Sequence, residues 1–148
     1  GEVTSANGVR VKMDRVLPEI GEEAFLADLE MLILAGGMDN TIELTCSAQA
    51  KRVIAGAADK GCKVAAICAA PVVLAGMGLL NGRKAVCYPG MEGSMGTADV
   101  QVGSKVVVDG SFITGQGPGA AFDFALKLVE VLKGQAVMEQ VKEEIHYQ

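Results

Sequence analysis

Cys68 is the residue of this chain whose type and setting come closest to chemistry. It lies in "AAICAAP", residues 65–71, where a strand-like apolar run gives way to a helix-like one. The pattern is small-x-Cys-x-small, with Ala66 two residues before and Ala70 two after. A nucleophile on a sharp strand-to-helix turn needs small residues at those positions, as in the G-x-S-x-G elbow of hydrolases, because the turn is crowded. A thiol there faces free N–H groups at the start of the helix, which favour the thiolate. The N–H of Ala69 is then a candidate oxyanion donor, with a second from Gly36 or Gly37 in "LAGG", residues 34–37. The same pattern suits a cysteine that only fills a small space in a core. At this level both readings stand.

The other reactive residue types add little. Cys46, Cys62 and Cys87 lack an elbow and read as packing or surface residues. The one histidine, His146, sits in "EEIHY" at the C-terminus and reads as solvated, so no histidine is placed as a base for Cys68. No CxxC spacing occurs, and neither a zinc site nor any other metal site is expected. Cys62 and Cys68 bracket one strand and stand about 20 Å apart. A disulfide needs Cα atoms within about 7 Å. Four unpaired thiols suit a reducing cytoplasm. "GQGPG" (115–119) has glycines ahead of a helix, a setting that can cradle anions. No Lys-Ser/Thr follows, so it is not a Walker loop. It reads as a tight turn, with Gln116, Gly117 and Pro118 as pocket wall if it shares a sheet edge with Cys68.

The elements that would bring these residues together follow from hydrophobic periodicity. "VRVKM" from Val9 alternates as a half-buried or edge strand, and "EEAFLADLE" reads as a short acidic connection. "MLILAGG" (31–37) is a continuous apolar run ending in two glycines, expected of a central parallel strand. "SAQAKRVIAGAADKG" is a helix stopped at Gly61, "KVAAI" a strand, and "APVVLAGMGLL" a helix with Pro71 in its first turn. "RKAVCYP" and "ADVQV" read as strands, and "KVVVDGSFITG" as two strands about a turn at Asp109-Gly110. "AAFDFALKLVEVLKG" is a long amphipathic helix stopped by Gly134, and "AVMEQVKEEI" a last helix.

Alternating strands and helices with glycine at the junctions predict a doubly wound α/β domain, a parallel sheet sandwiched by helices. Ligands of such sheets bind beyond the carboxyl ends of the strands. The loops holding Gly36, Cys68 and Gln116 all leave such ends.

Composition narrows the function. At 148 residues, half of them hydrophobic, the chain forms one domain, residues 1–148, with a sizeable core. A net charge of −5, no basic cluster, no Trp, two Tyr and four Phe argue against a nucleic-acid partner. The apolar runs carry Gly and Pro and read as strand plus helix, not as a membrane span.

"KVAAICAAPVVLAGMGLLNGRKAVCYPG" and "VVVDGSFITGQGPGAAFDFALKLVEVLKG" closely resemble the ThiJ/PfpI superfamily, the DJ-one family, in its bacterial ThiJ-like branch. Two motifs carry the resemblance, A-I-C-A-x-P at the elbow and T-x-x-G-P-G before the final long helix. "LAGG" is similar to the family's L-P-G-G, with Ala35 in place of proline. The resemblance implies a flavodoxin-like fold and a reactive, oxidation-prone Cys68. It also implies backbone amides of Ala69 and Gly36 around the thiol, and residues 116–119 near the same pocket.

Further implications are a homodimer, no cofactor, and activity on small aldehydes or glycated substrates of glyoxalase III or deglycase type. The alternative is a redox-sensing, chaperone-like stress protein. Protease-like members carry histidine after the cysteine, and Ala69 stands there instead, which disfavours a peptidase. The family also has an N-terminal strand–helix–strand segment of roughly 40 residues, about one βαβ unit. It bears a glutamate that bonds the cysteine. This sequence begins after it, so an upstream segment supplying a central strand is expected, with apolar sheet edges open in its absence.

Overall fold

The computed structural model describes residues 1–5 and 7–148. Strands β1 (Glu2–Thr4) and β2 (Arg10–Lys12) pair antiparallel with one another, outside the main sheet. The strand read from Val9 as half-buried or edge is an edge strand, the exposed arm of a hairpin, with Val3, Val9 and Val11 46–59% exposed. Its alternation has no covering layer to face.

The acidic connection contains two short helices, α1 (Leu17–Ile20) and α2 (Glu22–Ala27). The apolar pair Phe25–Leu26 explains α2, since it gives the segment a face to bury. Leu26 lies so close over Gly56 that a Cβ there would meet its Cδ1 at 2.7 Å. The Arg52 guanidinium grips the Glu22 carboxylate with three bonds of 2.6–3.1 Å, which hold that carboxyl below its usual range.

Strand β3 (Met31–Leu34) follows, then helices α3 (Met38–Cys46) and α4 (Ala48–Asp59). The sequence pattern assigned no element to α3. Ser47 separates the two helices and caps α4 by accepting the N–H of Ala50 at 3.1 Å. Strand β4 (Lys63–Ile67) leads into α5 (Pro71–Gly76), shorter than the helix expected to reach Leu80. Gly78, at φ +75, turns the chain out of helical geometry.

Two-residue strands β5 (Lys84–Ala85) and β6 (Asp99–Val100) pair parallel in a ladder of their own. Strands β7 (Val106–Asp109) and β8 (Phe112–Gly115) form a hairpin turning at Gly110 and Ser111. Helices α6 (Ala121–Lys133) and α7 (Gln135–Glu144) end the fold, with Gly134 at φ +87 between them.

The main sheet has the order β3-β4-β8-β7. Its first three strands are parallel, as the sequence predicted, and β7 pairs antiparallel with β8 across the turn read at Asp109-Gly110. The reason is local: the two-residue turn at Gly110 leaves no room for a crossover, and a tight hairpin pairs antiparallel. "RKAVCYP" does not continue as a strand past Ala85. Instead the Val86 N–H donates to the buried Thr114 hydroxyl at 2.9 Å and the Tyr88 N–H donates to the Cys68 carbonyl at 2.9 Å.

Alternate residues of β4 and β8 point to opposite faces, and both faces are apolar. Val64, Ala66 and Phe112 join Ile54, Leu74 and Leu80 in the larger core, under α4 and α5. Ala65 and Ile113 meet Phe124 and Leu128 of α6 on the other face. At the β3 edge Leu34 is buried while Ile33 is 53% exposed. The architecture is flavodoxin-like α/β.

Candidate functional site

The three parallel strands end level with one another. Leu34 lies one residue beyond Ile33, which opposes Ala65, and pairs with Ala66, while Ile67 pairs with Gly115. The loops beginning at Ala35, Cys68 and Gln116 therefore leave the same sheet edge side by side, as the sequence predicted.

Cys68 has φ 66, and among the described residues only one other non-glycine, His146, takes a positive φ. Such a backbone costs about 1–3 kcal/mol and persists only where its surroundings fix it. Here they do. The Cys68 N–H donates to the Gly115 carbonyl at 2.9 Å, its carbonyl accepts from Tyr88, and the Ala70 N–H turns back to the Ile67 carbonyl at 3.2 Å. Ala66 and Ala70 are fully buried, which is why the turn needs small residues on both sides.

Gly36 packs against this turn. A Cβ on it would stand 2.6 Å from the Cys68 Cβ, 2.8 Å from the Ile67 carbonyl oxygen and 3.3 Å from the Cys68 Sγ. Neither the Gly36 N–H nor that of Ala69 donates to a backbone carbonyl among the described residues. Gly37, at φ +91, makes the bend into α3 and is exposed.

Cys68 is half-buried and opens into a cavity of about 520 Å³ lined by Met38, Ala69, Tyr88, Pro89, Gly90 and Met91. Among the described residues that lining contains neither carboxylate nor imidazole. Gln116, Gly117 and Pro118 are not part of it. Gly117 sits behind the Tyr88 wall, where a Cβ on it would meet the ring at 3.2 Å, whereas Gln116 is half-buried and Pro118 is exposed.

Tyr88, Met38 and Met91 were not singled out by the sequence. Tyr88 follows the shortened strand β5, and its place is set by Thr114 and Cys68, partners distant in the chain. All four cysteines are free thiols. Cys62 donates to the Leu29 carbonyl at 2.9 Å, and burial together with the nearby Glu92 charge pushes the Cys87 thiol up to about 11. No cluster of metal-ligating side chains occurs among the described residues.

Comparison with known proteins fits this geometry. The chain is similar to protein dj-1beta of Drosophila melanogaster, 32% identical over 140 residues, which are 94% of this chain and 73% of that protein. It is 30% identical to Deglycase PfpI of Pyrococcus furiosus over 134 residues, 90% of this chain and 78% of that one. The crystal structure of Drosophila melanogaster DJ-1beta superposes with a TM-score of 0.90 at 29% identity, covering 99% of this chain and 77% of that one. An oxidized DJ-1 of Toxoplasma gondii does so with a TM-score of 0.86 at 31% identity, again over 99% and 77%. The sequence profile of the DJ-1/PfpI family matches residues 1–131, elbow and cavity included, and the chain belongs to that family.

Proposed function

We propose that the protein is a cofactor-independent cysteine enzyme acting on small reactive carbonyls, of glyoxalase III or deglycase type. The observation that carries this reading is Cys68, held at φ 66 on an over-bonded turn with its thiol facing a cavity. The N–H groups of Ala69 and Gly36 beside it, without an acceptor among the described residues, suit a developing oxyanion.

With methylglyoxal, the Cys68 thiolate adds to the aldehyde carbon. The C–S bond forms, the carbonyl electron pair moves to oxygen, and protonation gives a hemithioacetal. Removal of the proton on that carbon and its return to the neighbouring carbon yields a thioester without any outside oxidant. Water then cleaves the thioester, and methylglyoxal plus water has become lactate. Among the described residues the cavity lining offers no carboxylate to carry the proton. The reading therefore gives that step to an acidic group that is not part of this lining, the role that the family resemblance gives to a glutamate. A homodimer in a reducing cytoplasm belongs to the same reading, and light scattering tests the dimer. Among the described residues no helix is long and apolar enough to cross a membrane.

Full-length protein incubated with methylglyoxal is expected to form lactate, and Cys68→Ser to slow it at least about a hundredfold. Unchanged turnover in that variant overturns the mechanism. A second reading, redox sensing through oxidation of Cys68, draws on the oxidized form of the Toxoplasma gondii relative and on the partial exposure of Cys68. Mass spectrometry after mild peroxide is expected to find Cys68 oxidised first, and another cysteine reacting earlier counts against it.

A further inference from the structure

The lining of the Cys68 cavity is poor in side chains that can donate a hydrogen bond. Met38, Ala69, Pro89, Gly90 and Met91 offer none, which leaves the thiol itself and the phenol of Tyr88. Tyr88 is 46% exposed, so its ring is open to a ligand. The other tyrosine, Tyr147, commits its hydroxyl to Asp123 at 2.9 Å. The Tyr88 hydroxyl has no such partner among the described residues.

The place of Tyr88 is nonetheless fixed. Its N–H donates to the Cys68 carbonyl at 2.9 Å, and Val86, two residues earlier, is tied to Thr114. A backbone bond of that length puts Tyr88 and Cys68 side by side, as neighbours on adjacent strands are. One edge of the ring rests on Gly117, where a Cβ would stand 3.2 Å from Cδ2 and 3.6 Å from Cε2. A substituent there would crowd the ring, and glycine leaves it room.

The isomerisation on Cys68 needs a donor that the elbow does not supply. The Ala69 and Gly36 amides lie beside the sulfur, at the carbon it attacks. When that carbon loses its proton, the electron pair enters a new C–C double bond, and the pair of the neighbouring carbonyl moves onto its oxygen. A neutral phenol can stabilise such an enolate by hydrogen bonding.

We propose that Tyr88 is a catalytic residue of this site, its hydroxyl donating to the second carbonyl oxygen of an α-dicarbonyl bound through Cys68. The protons balance. The one removed from the attacked carbon is delivered to its neighbour. The one released as the attacked carbon's hydroxyl becomes the thioester carbonyl ends on the neighbouring oxygen, which becomes the alcohol of lactate. This rests on the carbonyl reading above for its turnover, and on the cavity lining alone for its binding.

Two measurements on full-length protein separate these parts, with Tyr88→Phe checked for folding by circular dichroism. In the first, 2,3-butanedione is titrated in, and protection of Cys68 from iodoacetamide is read by mass spectrometry. Its adduct carries no hydrogen on the attacked carbon and goes no further. Saturable protection is expected, weakened about fivefold in Tyr88→Phe, which removes one hydrogen bond and keeps the ring. Propanal, which lacks the second carbonyl, is expected to protect both proteins alike. In the second, Tyr88→Phe is expected to lower kcat for methylglyoxal about a hundredfold, as loss of an oxyanion donor does. Absent protection by the dione, equal protection of the two proteins, or a weakening that propanal shows as well overturns the phenol's role, and so does an unchanged kcat. Protection that responds as described, without lactate from either protein, leaves the phenol in place and overturns the turnover reading instead.

Discussion

Gly36 is the residue on which the posture of the thiol depends most directly. Gly36→Ala places a methyl group against the Cys68 Cβ and the Ile67 carbonyl, neither of which moves without shifting the end of β4. A loss of about 1–3 kcal/mol is expected, the usual range for overpacking. Thermal unfolding reads it, and the alkylation rate of Cys68 is expected to change with it; a variant unchanged in both contradicts the close packing. Cys87 gives a pH signature. Its thiol is raised from 9.0 to about 11 by burial first and by Glu92 second. The unfolded chain releases this proton near 9 while the folded chain holds it to about 11, so the stability it contributes is complete below 9 and lost as pH climbs through 11. Chemical denaturation across that window is expected to show the fall, and Cys87→Ala to flatten it. Cys68, Ala69 and Gly36 were legible as a constellation because the elbow writes its steric demand into neighbouring small residues. Tyr88 was not, since no local spacing marks a residue held by bonds to β8 and the elbow.

At the scale of elements, the segment after β5 shows how a side chain can replace a strand. Thr114, fully buried in β8, holds the Val86 N–H, and two residues later the Cys68 carbonyl takes the Tyr88 N–H. Thr114→Val keeps the shape but strands a buried N–H, at a cost of about 1–3 kcal/mol. The expected result is a Tm several degrees lower, restored by Thr114→Ser; an unchanged Tm rules out this anchoring role. The parallel core of the sheet was legible from continuous apolar runs, and the final long helix from its 3.6-residue period. The extents of α5 and β5 were not, because their apolar sequences continue while glycine turns and long-range bonds redirect the backbone. Helix α3 escaped notice for a related reason: its face of Met38, Thr41, Ile42 and Thr45 lines cavities, and carries no strong apolar stripe.

Across the whole molecule the two ends of the chain are held differently. Hairpin β1–β2 stands apart from the main sheet, whereas the C-terminus is fastened to α6. Tyr147 stacks on Phe122 at 5.5 Å and donates to Asp123, which also accepts from Lys105. Burial is the largest single influence and raises the Asp123 carboxyl, but these two bonds, the Lys105 charge and a backbone hydrogen bond together hold it below its usual value. The fastening is thus present above the ordinary carboxylate range and lost as pH falls through the lowered value.

The elbow itself is tied to two neighbours at once. Its amide is bonded to β8 and its carbonyl to the Tyr88 segment, between two buried faces of the sheet. Opening the Cys68 backbone therefore requires both neighbours to leave at once, which is little short of unfolding the domain. In hydrogen exchange, the amide protons of Cys68 and Tyr88 are expected among the slowest of the chain, and rapid exchange at either contradicts this. The reactive sulfur is then a fixed point in time as well as in space. Whatever accommodation a ligand demands falls to the thioethers of Met38 and Met91, whose rotamers turn over many orders of magnitude faster than the backbone they face.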